Sequence, residues 1–141
     1  MAALTLYLAD TSAWHRATHP AIAAAWEQRL ATDTLATCTQ VRLEILYSAR
    51  NAADYEQLSA ELLALHQLPC GADQFERALE IQHKLAKQGG LHHRSVKIPD
   101  LLIAATAEDA GAVLWHYDED YDRVAQITGQ LVEWIASRGS L

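Results

Sequence analysis

Two short apolar runs each end on an aspartate. Leu4-Thr5-Leu6-Tyr7-Leu8-Ala9 leads into Asp10, and Val113-Leu114-Trp115-His116-Tyr117 leads into Asp118. The first run lacks the alternation of a half-exposed strand, so it reads as a strand buried on both faces, as in a parallel sheet covered by helices. A second strand is expected over Ala112 to His116, a small one over Leu65 to Leu68, and a last one over Leu131 to Ile135.

Helical periodicity fills the intervals. Pro20 opens a helix whose Ile22, Trp26 and Leu30 recur on one face. A second helix is expected from about Gln40 to Arg50, and a third carries Tyr55, Leu58, Leu62 and Leu65 on one stripe. Asp73 and Glu76 have capping-box spacing at the start of a fourth, with Phe75, Leu79 and Leu85 on its core face and Gly89-Gly90 as its stop. Pro99 suits the first turn of a helix to Asp109 closed by Gly111, and a short helix spans Tyr121 to Ile127. Alternating strands and helices imply an α/β fold with a mostly parallel sheet and helices on both faces. With 141 residues the chain reads as a single domain, 1–141.

Five acids stand out against this background. Asp10 and Asp118 lie at the carboxyl ends of strands, where open α/β sheets bind ligands. Glu44 sits among Val41, Leu43, Ile45 and Leu46. Asp100 lies between Ile98-Pro99 and Leu101-Leu102-Ile103, and Asp120 follows two positions after Asp118. Carboxylates set beside a core need compensation, and several that converge repel one another. A divalent metal ion answers both needs, so the pattern reads as a metal-dependent enzyme. Taken singly, each acid could instead be a strand-end turn, a surface helix position or a helix cap.

The totals narrow the class. Cys38 and Cys70 lack zinc or CxxC spacing and read as free thiols in a reducing cytoplasm. Met1-Ala2-Ala3-Leu4 carries no basic n-region, and no run is long enough to span a membrane, so a cytoplasmic protein is expected. A net charge of −7 argues against generic nucleic-acid binding. Yet the stretch from Ile81 to Pro99 contains no acid, and holds Lys84, Lys87, Arg94 and Lys97 with His83, His92 and His93. His15, His19, His92 and His93 form no metal spacing, and Trp14, Trp26, Trp115 and Trp134 read as packing residues.

In order, Leu8-Ala9-Asp10-Thr11-Ser12, Arg42-Leu43-Glu44-Ile45-Leu46, Ile98-Pro99-Asp100-Leu101-Leu102-Ile103-Ala104 and His116-Tyr117-Asp118-Glu119-Asp120-Tyr121 resemble the motifs of the PIN-domain family. Within it the chain is most similar to VapC-type ribonuclease toxins of bacterial toxin–antitoxin modules. The resemblance implies a PIN-like three-layer α/β/α fold and a Mg²⁺- or Mn²⁺-dependent endoribonuclease. The metal set would be Asp10, Glu44, Asp100, Asp118 and Asp120, with Thr11 or Ser12 orienting the first aspartate. It also implies a VapB-like antitoxin and a homodimer, for which apolar residues on the helices from Pro20 to Leu65 are candidates. Arg42, Arg50 and Lys97 are candidates for RNA phosphate contacts. The chain departs from the terminal pattern T-x-D-x-D-F at both ends. His116 replaces Thr, removing an expected hydroxyl, and Tyr121 replaces Phe, a mild change.

Two other readings fit less well. A phosphoacceptor signalling domain wants an acidic pair after the first strand, and a dehalogenase-type phosphatase wants a second acid two positions past Asp10, where Ser12 stands. A catalytically silent PIN fold serving only as a binding partner has no reason to keep like charges together.

Overall fold

The computed structural model describes residues 4–141, so the reading of the first residues as no leader falls partly outside it. In chain order the elements are β1 (Tyr7–Ala9), α1 (Thr11–Trp14), α2 (Ala23–Ala31), β2 (Leu35–Thr37), α3 (Thr39–Tyr47), α4 (Ala52–Leu63), β3 (His66–Gln67), α5 (Ala72–Lys87), α6 (Ile98–Ala110), β4 (Val113–His116), α7 (Asp120–Thr128) and β5 (Val132–Trp134). The sheet order is β3-β2-β1-β4-β5, and every neighbouring pair is parallel. Tyr7 stands opposite both Leu35 and Val113, and Ala9 opposite Trp115.

Strand alternation sorts the side chains into two cores. Leu8 and Leu114 face Val41 of α3, Ile81 of α5, Leu101 of α6 and Val124 of α7. Ala9, Leu35 and Trp115 face the other way, onto Ala13 of α1, Ile22 and Trp26. Helices therefore cover both sides of the sheet, the three-layer arrangement expected from the sequence. The strands are only two to four residues long. The sheet is held less by its ladder than by fully buried side chains, each worth about 1.5–3 kcal/mol relative to exposure. The tryptophans pack as expected: Trp14 meets Trp26 edge-on at 4.9 Å, and Trp26 stacks on Trp115 at 5.5 Å.

Several elements differ from the sequence reading. β2 was not anticipated, because Leu35-Ala36-Thr37 has little strand character of its own; it exists through pairing with β1 and β3. The short α1 was also missed. The helix expected to open at Pro20 is α2 and begins at Ala23, after a series of turns, and Leu30 near its end is exposed.

The largest correction concerns α5. Its inward stripe is Gln74, Ala78, Ile81 and Leu85, while Phe75 and Leu79 are exposed and line a groove of about 260 Å³ with Ile98 and Leu102. Polar contacts set this rotation. The Gln74 amide donates to Asp109 at 2.7 Å and its oxygen accepts from Gly71 N at 2.8 Å, so the helix starts there and not at Asp73. On the same side, Arg77 donates to both oxygens of Glu108 on α6, at 2.6 and 2.9 Å. Arg77→Ala is expected to lower stability by about 1 kcal/mol, since the pair is bidentate yet partly solvated. Urea denaturation checks this, and an unchanged midpoint would show that the pair is only decorative.

Candidate active site

Strand order reverses across the sheet between β1 and β4, the place where open parallel sheets form a ligand crevice. The two strand ends are tied by Asp10 N donating to Trp115 O at 3.0 Å. Asp10 and Asp118 therefore leave the sheet side by side. Lys97 caps α6 in extended conformation with Pro99 in its first turn, which carries Asp100 toward the same crevice. Glu44 reaches in from the middle of α3, and Asp120 begins α7.

Four of the five acids accept hydrogen bonds through their carboxylates. Asp10 is buried and caps α1: its Oδ2 accepts from Ser12 N at 3.0 Å and from Ser12 Oγ at 2.6 Å. Ser12 Oγ in turn accepts from Tyr117 N at 3.0 Å, so one hydroxyl joins α1 to the exit of β4. Glu44 accepts from Thr11 Oγ1 at 3.2 Å and from the Gln40 amide at 3.0 Å. Asp118 accepts from Asp120 N at 3.0 Å. The Tyr121 hydroxyl lies 2.8 Å from Asp10 Oδ1 and 3.2 Å from Asp100 Oδ1.

The two departures from the family pattern have physical roles. His116 is fully buried and its Nδ1 accepts from Asp118 N at 3.1 Å, the two-residue turn contact that a threonine hydroxyl could also make. Burial lowers its pKa, and the acceptor role of Nδ1 requires that nitrogen to be unprotonated. The ring is thus neutral at physiological pH. Tyr121 is the greater surprise. Its ring is wholly buried, and its hydroxyl stands between two carboxylates.

Asp100, Asp118 and Asp120 each bring one carboxylate oxygen to within 4.8 Å of the others. Burial pushes the Asp100 carboxyl up to about 7, and the charges of Asp10, Asp118 and Glu44 push the same way against the Tyr121 hydrogen bond. Asp120 is raised by burial and by Asp118, and is drawn back by Arg123 and Lys97. An all-carboxylate donor set, with no histidine or cysteine among it, suits a hard divalent cation. A bound cation would also remove the repulsion that raises Asp100.

The family model described as "PIN domain" matches residues 7–127, a span that contains all five acids. This chain belongs to the PIN-domain family. It is 55% identical over 136 residues to ribonuclease VapC18 of Mycobacterium tuberculosis (strain ATCC 25618 / H37Rv), covering 96% of this chain and 99% of that protein. It is 40% identical to ribonuclease VapC51 of the same strain, covering 96% of each. Its fold resembles that in the crystal structure of DNA-bound VapBC from Salmonella typhimurium, with a TM-score of 0.73 at 18% identity, covering 94% of this chain and 100% of that one.

Around this PIN-domain site the basic candidates separate. Lys97 is exposed at the start of α6, close enough that its charge is felt by Asp120. Arg42 is half-buried, with one terminal nitrogen on Thr39 Oγ1 at 3.2 Å. Arg50 is exposed and pairs loosely with Asp54 at 3.8 Å. Two cations near the acids were missed. Arg123 lies 3.8 Å from Asp120, and Arg16 donates to Ser12 O at 2.8 Å while lying over the Tyr117 ring. No sequence signal marks either, since both meet the site only through helix placement.

Proposed function

We propose that this protein is a Mg²⁺- or Mn²⁺-dependent endoribonuclease, a VapC-type toxin of a toxin–antitoxin pair. The convergence of Asp100, Asp118 and Asp120 beside Asp10 carries the reading, because a divalent cation would offset the burial and like-charge repulsion those carboxylates bear. VapC18 and VapC51 are named ribonucleases, which supports RNA as the substrate. Asp100, Asp118 and Asp120 would hold the ion, with Asp10 and Glu44 beside them. Such an ion supplies an activated water and offsets charge developing on a phosphodiester. The protein's own part is orientation. Ser12 and Tyr121 fix the Asp10 carboxylate, Thr11 and Gln40 fix Glu44, and His116 sets the turn that presents Asp118.

The antitoxin partner is supported by solved relatives that are VapBC complexes. Exposed apolar surface supports both a VapB-like antitoxin and a homodimer contact. A groove of about 410 Å³ is lined by Leu30 and Leu65 of the Pro20–Leu65 stretch together with Trp14, and the Phe75–Ile98 groove is a second. No helix among the described residues is long and apolar enough to cross a membrane, in keeping with the proposed cytoplasmic site of action. The whole chain is taken as one domain. The silent-partner reading gains no support from an acid set this complete.

The test is cleavage of structured RNAs by the purified protein, with Mn²⁺ or with EDTA, and with or without the product of the adjacent gene. Metal-dependent cleavage suppressed by that partner is expected; cleavage in EDTA would refute the mechanism. Lys97 offers a finer test. An acidic chain needs a locally positive path for a polyanion. Lys97→Ala is expected to weaken RNA binding and lower its salt slope by about one, as for a lost phosphate contact. Affinities over a salt series in Ca²⁺ check this. Equal slopes for variant and wild type would make Lys97 an ordinary surface charge.

A further inference from the structure

We infer that Tyr121 is a positioning residue for the metal, its hydroxyl joining Asp10 and Asp100 so that the carboxylates stay close enough to share one cation environment. This rests on the metal-dependent reading above.

The geometry carries the argument. Asp10 comes from the end of β1 and Asp100 from α6, and no hydrogen bond links the two carboxylates directly among the described residues. Among the described residues only the Tyr121 oxygen hydrogen-bonds to both, at 2.8 and 3.2 Å. The ring is held rigidly: it is fully buried, packs 5.1 Å from the His116 ring, and belongs to the core that Leu8, Ile103 and Val124 share. A buried carboxylate that loses a donor rotates toward other donors or water. Two that lose the same donor, with like charges facing, move apart. A hydroxyl has one proton, so Tyr121 cannot donate fully to both oxygens at once. It holds the pair without satisfying it, and leaves the remaining lone pairs to a cation. Partners that orient metal ligands in this way are commonly worth about 10–100-fold in metal affinity.

The experiment is calorimetric titration of Mn²⁺ into wild type, Tyr121→Phe and Trp134→Phe at pH 8. Tyr121→Phe removes one oxygen and keeps the ring. Trp134→Phe is the control: Trp134 also packs on His116, at 5.0 Å, but its indole donates to Asp122, outside the acid cluster. The expected result is a Kd for Mn²⁺ raised about 10–100-fold in Tyr121→Phe and within about twofold of wild type in Trp134→Phe. Equal Kd values for Tyr121→Phe and wild type overturn the inference. Equal weakening in both variants overturns it too, because general loosening of this corner would then suffice. Should Tyr121→Phe unfold in EDTA, circular dichroism during the same Mn²⁺ titration reports refolding, and its midpoint replaces the calorimetric Kd. A wild type that binds no Mn²⁺ would instead refute the metal-dependent reading itself.

Discussion

Asp100→Asn is expected to cut RNA cleavage by more than about a hundredfold while leaving the fold intact. The lower bound follows from groups that merely orient ligands, which already account for about 10–100-fold in metal affinity or activity. Asp100 is one of three acids whose oxygens converge, so its loss goes beyond orientation. The substitution is isosteric, and an amide at this buried position can still accept from the Tyr121 hydroxyl. Asp10→Asn should behave alike, for its carboxylate is the hub of the Ser12 and Tyr121 contacts. Labelled RNA incubated with each variant, and circular dichroism of the same samples, make the check. Undiminished cleavage by either variant would remove the acid cluster from the chemistry.

The second large effect is on stability, and it runs against activity. The Asp100 carboxyl is raised from an ordinary value of 3.8 to about 7, by burial first and by neighbouring acids second. Between those values the folded state binds more protons than the unfolded chain. Metal-free stability should therefore fall as pH rises from about 4 to about 7, by on the order of 4 kcal/mol from this group. His116 works in the opposite sense: its pKa is lowered by burial, so it costs stability as pH falls below the usual histidine range. The difference between wild type and Asp100→Asn isolates the aspartate. In EDTA the variant should match wild type near pH 4 and exceed it near pH 8. At pH 8, Mn²⁺ at a thousand times its Kd should close that gap, since it adds about 4.1 kcal/mol to the protein that binds it. Urea denaturation at both pH values, with EDTA or Mn²⁺, measures all four cases. A wild type with no pH slope beyond that of Asp100→Asn would mean that the carboxylate is not confined as described.

What the sequence by itself determined was the layered α/β architecture and the identity of the acids. Apolar runs ending on Asp10 and Asp118 required buried strands with carboxylates at their tips. Pro99 and Gly111 bracketed α6, where Gly111 takes the left-handed conformation at φ 65°. These are local signals, set by backbone stereochemistry and by the period of hydrophobic residues. Tertiary structure alone decided the rest. β2 is a strand because β1 and β3 pair with it, and α5 turns Phe75 and Leu79 outward because Gln74 and Arg77 find partners on and beside α6. The roles of His116 and Tyr121 were hidden for the same reason. A sequence motif shows that a hydroxyl moved from one position to another, but not where it points. Only packing of α7 under the sheet edge brings the Tyr121 oxygen between Asp10 and Asp100, residues separated by ninety positions and joined by nothing local. Hydrogen bonds and like-charge contacts act over a few ångströms, whereas sequence patterns record only which side of an element is apolar.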